Sequence, residues 1–133
     1  MEIGFDIISD LNLNQDTEFN WQDKPTSLFC IIPGNISSDL SILRKTLIQL
    51  RSVYQGIFFI DGFLENHQIE NNLRIKEISK ICSSINNVVY LHSNVVVVEG
   101  IAFVGINGWQ QGESIVTDTD MFYNKMNRYD DIQ

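Results

Sequence analysis

Polar side chains that could bind a metal ion or a phosphate group follow three apolar runs of this 133-residue chain. Asp10 and Asn12 follow the first run, Asn35 follows the second, and Glu65 follows the third. Carboxylate and amide oxygens, together with imidazoles, can hold cations that polarise phosphate esters and activate water. If the runs are neighbouring parallel strands, these side chains meet at one edge of a sheet, where α/β proteins bind ligands.

The three runs are predicted to be parallel strands of an α/β domain. They occupy residues 4–9, 27–32 and 57–60. Between the last two runs, apolar residues recur at helical spacing, at Leu40, Leu43, Leu47, Leu50 and Tyr54. Strand, helix and strand in this order imply a parallel crossover. Gly56 is predicted to end the helix in a left-handed conformation.

The second half of the chain predicts further elements of the same domain. A covering helix is expected over 68–84 and a short strand over 88–90. Two β-branched runs, 95–98 and 101–106, flank a two-residue turn that contains Gly100, which is typical of a hairpin. A weak pattern predicts a last helix over 118–129, and we expect residues 1–133 to form one domain.

A polar, acidic loop separates the first two predicted strands and is long for a compact domain. It contains Phe19 and Trp21. Two interpretations remain open for these aromatic side chains. They fold the loop back onto the body of the domain, or they contact a partner protein.

Composition limits the classes of function and the compartment. The net charge is −8, and the nine Lys and Arg residues form no cluster, which argues against a nucleic-acid partner. No apolar stretch approaches the roughly 20 residues of a membrane span, and no secretory leader is recognised. Cys30 and Cys82 have neither disulfide nor zinc spacing and are interpreted as buried hydrophobic residues in a reducing compartment. We therefore expect a soluble intracellular protein.

The segments after the predicted strands and hairpin resemble the calcineurin-like metallophosphoesterase family. They read Asp10-Leu11-Asn12, Gly34-Asn35, Gly62-Phe63-Leu64-Glu65 and Gly105-Ile106-Asn107-Gly108-Trp109. In that family they read Asp-x-His, Gly-Asp, Gly-Asn-His followed by Asp or Glu, and Gly-His-x-His, and they hold two metal ions. The resemblance spans about residues 3–129. It implies a phosphoesterase-type sheet with covering helices and a C-terminal hairpin, truncated relative to the full family fold.

The chain departs from the family pattern at most of the ligand positions. Asp10 is kept, but Asn12 stands at a histidine position and Asn35 at the position of the bridging Asp. Phe63 and Leu64, after Gly62, replace the Asn ligand and the substrate-binding His, while Glu65 would act outside the first ligand shell. An amide cannot supply the negative charge that offsets two divalent cations. We therefore expect no catalytic residues, no cofactor and no metal.

Two other uses of the same edge are open. The side chains of Asp10, Asn12, Asn35 and His67 could form a site for a divalent metal ion such as Mn or Zn. In the competing interpretation, His67 belongs to the following helix and His92 is a surface or half-buried imidazole. Alternatively, Gly34, Ser37 and Ser38 lead into a helix N-terminus, where free amides favour an anion. Simple capping of that helix by Ser38 or Asp39 is the competing interpretation.

These observations lead to a functional expectation. The chain is predicted to be a non-catalytic structural or protein-binding module derived from the phosphoesterase family, with a protein partner or a homo-oligomer in a larger assembly. Short chains of this kind resemble proteins of tailed phages, so a cytoplasmic or virion location is expected. The alternative function is a weak metal-dependent phosphoesterase with an atypical site.

Overall fold

Four short strands form a parallel sheet in this computed structural model, which describes residues 3–66 and 71–106, with the backbone alone at 71 and 72. The strands are β1 (Phe5–Ile7), β2 (Phe29–Pro33), β3 (Gly56–Ile60) and β4 (Val88–Tyr90). They lie side by side in chain order, and each neighbouring pair is parallel. The predicted parallel arrangement is confirmed, so the carboxyl ends of the strands share one edge.

Two helices complete the first unit of the fold. Helix α1 (Leu40–Arg51) begins at Asp39, whose side chain accepts the backbone N–H groups of Ser41 and Ile42. Of the two caps considered from the sequence, Ser38 and Asp39, the structure shows Asp39. Helix α2 (Asn71–Ser83) begins where the described residues resume after 70. A short 3-10 turn, Leu64–Asn66, follows β3.

The core lies on one face of the sheet. Cys30 and Ile32 of β2 and Ile57 and Phe59 of β3 are fully buried there, and α1 and α2 cover them with Leu43, Leu47, Leu50, Ile78 and Cys82. Burying each large apolar side chain contributes roughly 1.5–3 kcal/mol. Burial also raises the pKa of both thiols, Cys30 and Cys82, to about 12. The prediction that the cysteines are buried hydrophobic residues is confirmed.

The hairpin belongs to a second compact unit. The chain divides into Met1–Tyr90 and Leu91–Gln133, and the expectation of one domain over 1–133 stays a prediction. Strands β5 (Val95–Val98) and β6 (Ile101–Val104) pair antiparallel. Glu99 and Gly100 join them, both with positive φ, of 53° and 76°. Two left-handed residues match the right-handed twist of the flanking strands, which confirms the predicted hairpin.

Two details of the predicted elements differ from the structure. Helix α1 ends at Arg51 with Ser52 as a right-handed cap, so the left-handed glycine predicted at Gly56 is wrong. Gly56 instead begins β3, where a Cβ atom would lie 3.0 Å from the ring of Phe29. The absence of a Cβ atom at Gly56 therefore leaves room for the ring of Phe29 to pack against β3. The helix predicted over 118–129 lies outside the described residues.

Candidate functional site

The loops that follow β1, β2 and β3 meet at the carboxyl edge of the sheet, as predicted. We call Asp10, Asn35, Gly62 and Glu65 the strand-end cluster. The backbone N–H of Asp10 donates to the carbonyl of Gly34 at 3.2 Å, and that of Asn12 donates to the carbonyl of Asn35 at 3.1 Å. The first two loops therefore run side by side beyond the ends of their strands.

Glu65 holds the cluster together from inside the protein. Its side chain is fully buried. One carboxylate oxygen accepts the backbone N–H groups of Asn35 at 2.7 Å and Gly62 at 2.9 Å, and the other accepts that of Ser37 at 3.0 Å. Burial raises the pKa of Glu65 above its ordinary value, and the three N–H donors oppose that rise. Both oxygens therefore form hydrogen bonds within the protein, to the loops that follow β2 and β3.

The side-chain amide of Asn35 also bonds inside the cluster. Its Nδ2 donates to Oδ1 of Asp10 at 2.8 Å, and its Oδ1 accepts the backbone N–H of Leu64 at 3.1 Å. The two bonds fix the orientation of the amide, because a flipped amide would present an N–H to the N–H of Leu64. Asn35 therefore directs a donor, and not a lone pair, at Asp10.

Three predicted site residues have left-handed backbone. The φ angles are 59° at Asp10, 50° at Asn12 and 58° at Asn35. Asn and Asp are the non-glycine residues that adopt this region most readily, since their short polar side chains bond locally. In agreement, Nδ2 of Asn12 lies 3.4 Å from the carbonyl oxygen of Asp10. The left-handed backbone therefore explains why Asp or Asn occupies these three positions, without any need for a ligand.

Two glycines allow the second and third loops to touch. A Cβ atom on Gly34, which has a φ of +76°, would lie 2.6 Å from the backbone nitrogen of Gly62. A Cβ atom on Gly62 would lie 2.7 Å from the backbone nitrogen of Asn35. Real Cβ atoms do not approach backbone this closely. Both glycines are therefore required by the close contact between the loops.

A second polar group beside Glu65 was not identified from the sequence. Asp61 is buried at the end of β3 and accepts hydrogen bonds from Tyr90 Oη at 2.7 Å and Asn66 Nδ2 at 2.6 Å. The same Asn66 nitrogen donates to the carbonyl of Gly62 at 2.8 Å. These bonds connect the end of β3 to β4 and to the 3-10 turn.

Arg74 of helix α2 supplies positive charge next to these carboxylates. Its side chain is fully buried. Burial lowers the pKa of its guanidinium below the ordinary value, and the charges of Glu65 and Asp61 oppose that effect. The sequence signal was its position: Arg74 has the same helical spacing as the buried Ile78 and Cys82. A cation on a buried helical stripe calls for buried anions nearby.

The predicted anion-binding residues make internal contacts in the structure. Ser37 Oγ donates to the carbonyl of Leu13 at 2.8 Å and accepts the N–H of Asp39 at 3.1 Å. The backbone N–H of Ser37 donates to Glu65. Ser38 is exposed and Gly34 is buried in the loop contact described above. Anion binding at Gly34, Ser37 and Ser38 stays a prediction.

The remaining predicted residues are only partly gathered at the edge. Leu64 contributes its backbone N–H, while 59% of the surface of Phe63 is exposed. His67 lies outside the described residues, and His92 is half-buried. Within residues 3–66 and 71–106, no three His, Cys, Asp or Glu side chains are grouped to hold one ion.

The strand-end cluster does not fit the two-metal centre that the family resemblance implies. The bridging position holds Asn35, whose N–H groups face Asp10. The oxygens of Glu65 point at backbone donors of the protein itself. A cation needs lone pairs directed at one point in space. These side chains are arranged as a hydrogen-bond network within the protein, and their lone pairs do not converge on a point where an ion could bind.

The long loop between β1 and β2 is anchored by a separate network at the opposite ends of the strands. Trp21 Nε1 donates to Tyr54 Oη at 3.0 Å, and Tyr54 Oη donates to Asp6 at 2.7 Å. The backbone and hydroxyl of Thr26 donate to the same carboxylate. Phe19 and Trp21 also pack against the core. The predicted packing role of these aromatic residues is confirmed.

This anchor predicts a pH dependence of stability. Hydrogen bonds from Thr26 and Tyr54 lower the pKa of Asp6 from 3.8 to about 2. The stabilisation is therefore complete above about pH 4 and is lost as the pH falls through 2. We expect Asp6→Asn to lower the melting temperature at pH 7, and the difference from wild type to shrink between pH 4 and pH 2. Thermal unfolding measured by circular dichroism checks this, with the exposed Asp23→Asn as the control. A difference that is constant over this pH range would contradict it.

Comparisons with known proteins give no relative for this chain. No family model, curated protein or solved structure matches it. Among the described residues, no helix has the length and apolar character to cross a membrane.

Proposed function

We propose that this chain is a non-catalytic protein-binding module built on a calcineurin-like metallophosphoesterase scaffold. One observation carries the proposal: both carboxylate oxygens of Glu65 accept backbone N–H groups of neighbouring loops. Asn35 also donates a hydrogen bond to Asp10. The polar side chains at the strand ends therefore form hydrogen bonds within the protein. The edge of the sheet that would carry out catalysis instead holds three loops in place.

The scaffold part of the proposal is supported by the order of elements. Asp10 follows the parallel strand β1, Gly34 and Asn35 follow β2, and Gly62 follows β3. An antiparallel hairpin follows β4 along the chain. Glu65 lies one turn after β3, at the position where the family has its acidic residue. These are the positions on which the resemblance rests.

The binding part of the proposal is supported by apolar surface. In the described portion of the chain, no strand pairs with the outer side of β1. Ile7 of that strand is 70% exposed. An unpaired strand edge with an exposed apolar side chain favours addition of a strand from another chain. A second copy or a neighbouring subunit, as in a virion, would cover it.

A hydrolysis assay tests the non-catalytic part. Purified protein is incubated with bis-p-nitrophenyl phosphate and either Mn²⁺ or Zn²⁺. We expect no release of nitrophenol above the metal-only control, and the same result for Asp10→Ala. Turnover that Asp10→Ala abolishes would contradict the proposal and would favour a metal-dependent phosphoesterase.

Sedimentation over a range of concentrations tests the self-association. We expect a mass above the 15.3 kDa of one chain, and a shift towards that value in Ile7→Lys. The control is Ile48→Lys, since Ile48 is also exposed but lies on helix α1. A monomeric wild-type protein at every concentration would contradict self-association.

A further inference from the structure

A cleft of about 600 Å³ lies between the loop 13–20 and the outer surface of α1. It adjoins a second hollow of about 310 Å³ that shares Phe19, Asn20 and Gln49 with it. On the helix side, the lining extends from Ser41 to Ser52, which is about 16 Å at 1.5 Å per residue. An extended chain of about five residues, at roughly 3.3 Å each, has this length. The two hollows together therefore have the dimensions of a peptide groove.

The lining combines an apolar floor with groups that match a peptide backbone. Leu13, Phe19 and Ile42 supply the apolar part. Amide and hydroxyl side chains surround it; they are Asn14, Gln15, Thr17, Asn20, Ser41 and Gln49. The hydroxyl groups of Thr17 and Ser41 donate within the protein, whereas the side-chain N–H groups of Asn20 and Gln49 can donate to the carbonyl groups of a peptide. In an extended peptide, alternate side chains point to opposite sides. One set could reach the floor while the other faces solvent.

Opposite charges stand on the two walls of the cleft. Glu18 is on the loop and Lys45 is on the helix, and both side chains are exposed. Glu18 and Lys45 do not form an ion pair with each other within 4.0 Å. A ligand that carries both charges would complement these walls. A peptide can do so, whereas a neutral glycan would use neither charge.

The cleft is formed before any ligand arrives, since its loop is fixed to the body. Trp21 is bound to Tyr54 at 3.0 Å and stacks on Phe19 with 6.0 Å between ring centroids. Asn14 Oδ1 accepts the backbone N–H of Asp16 at 2.9 Å and the hydroxyl of Thr17 at 3.0 Å. A preformed groove avoids the entropy cost of ordering a loop on binding.

From these observations we infer that the cleft between the loop 13–20 and α1 binds an extended peptide segment of a partner protein, with an acidic residue placed against Lys45. The inference rests on the proposed protein-binding function and names the surface and the chemistry of the partner.

The probe is a phage-displayed library of random heptapeptides, enriched on the wild-type protein. Enriched sequences are expected to share apolar residues at alternate positions and an acidic residue. The synthetic peptide is then titrated by calorimetry into wild type, Lys45→Glu and Arg44→Glu. Arg44 is the exposed neighbour on α1 that does not line the cleft, so both variants change the charge equally. We expect Kd to rise about tenfold in Lys45→Glu and less than about twofold in Arg44→Glu.

Three results would overturn the inference. They are the absence of any enriched peptide, equal weakening by the two variants, and binding on a glycan array in place of peptide binding. Thermal unfolding of both variants verifies that they fold. The outcome is separable from that of the proposed function, because self-association through β1 is measured by sedimentation without any peptide.

Discussion

Replacement of Glu65 by alanine is expected to lower the free energy of unfolding by about 4 kcal/mol. The substitution removes the acceptor of three backbone N–H groups, those of Asn35, Ser37 and Gly62. Each donor left unsatisfied in the interior costs about 1–3 kcal/mol, and water entering the cavity recovers part of this. It also takes one negative charge away from the buried Arg74. Urea denaturation followed by fluorescence measures the change.

The matched control for Glu65 is Glu77 on helix α2. Its carboxylate forms an ion pair with Lys80 at 3.5 Å on the protein surface. Exposed pairs of this kind contribute little, so Glu77→Ala should change the free energy of unfolding by less than about 1 kcal/mol. Similar effects of the two substitutions would show that Glu65 does not hold the loops together.

The substitution Gly34→Ala is expected to destabilise the protein by about 4 kcal/mol as well. Its methyl group would lie 2.6 Å and 2.7 Å from backbone atoms of Gly62, and backbone cannot move away as the end of a side chain can. A left-handed φ of +76° adds about 1–2 kcal/mol of conformational cost. Denaturant unfolding compared with wild type gives the effect.

A substitution at Gly100 distinguishes the cost of the backbone clash from the cost of the left-handed conformation. It has the same φ of +76° in the hairpin, but a Cβ atom there meets nothing within 4 Å. Gly100→Ala should therefore cost only the conformational part, about 1–2 kcal/mol. If Gly34→Ala costs no more than Gly100→Ala, the close approach of the loops does not contribute to stability.

The strands, the parallel order and the hairpin could be predicted because they depend on local patterns. Short β-branched and aromatic runs end at turn residues, and Glu99-Gly100 has the residue types of a two-residue turn. Asp39 was one of the two caps considered for the same reason. Gly56 was assigned wrongly, since its role depends on the ring of Phe29, which is distant in the sequence.

The candidate site was only partly predictable for a related reason. The strand order is sufficient to bring Asp10, Asn35 and Glu65 together. The direction in which each side chain forms hydrogen bonds depends on tertiary contacts. The sequence therefore could not show that Glu65 accepts three backbone N–H groups. In α2, the apolar Leu73 is 51% exposed, whereas the charged Arg74 is fully buried. A buried charge does not follow the rule that the buried face of a helix is apolar. The position of Arg74 is explained by the carboxylates of Asp61 and Glu65, which are known only from the structure.

Calorimetric titration of the protein with Mn²⁺, alongside thermal unfolding with and without the ion, tests most directly whether the strand-end cluster is a structural network. The predicted result is no stoichiometric heat of binding and a melting temperature that neither Mn²⁺ nor a chelator changes. One or two equivalents of Mn²⁺ bound by the wild type and lost in Asp10→Ala, with a matching rise in melting temperature, would contradict it.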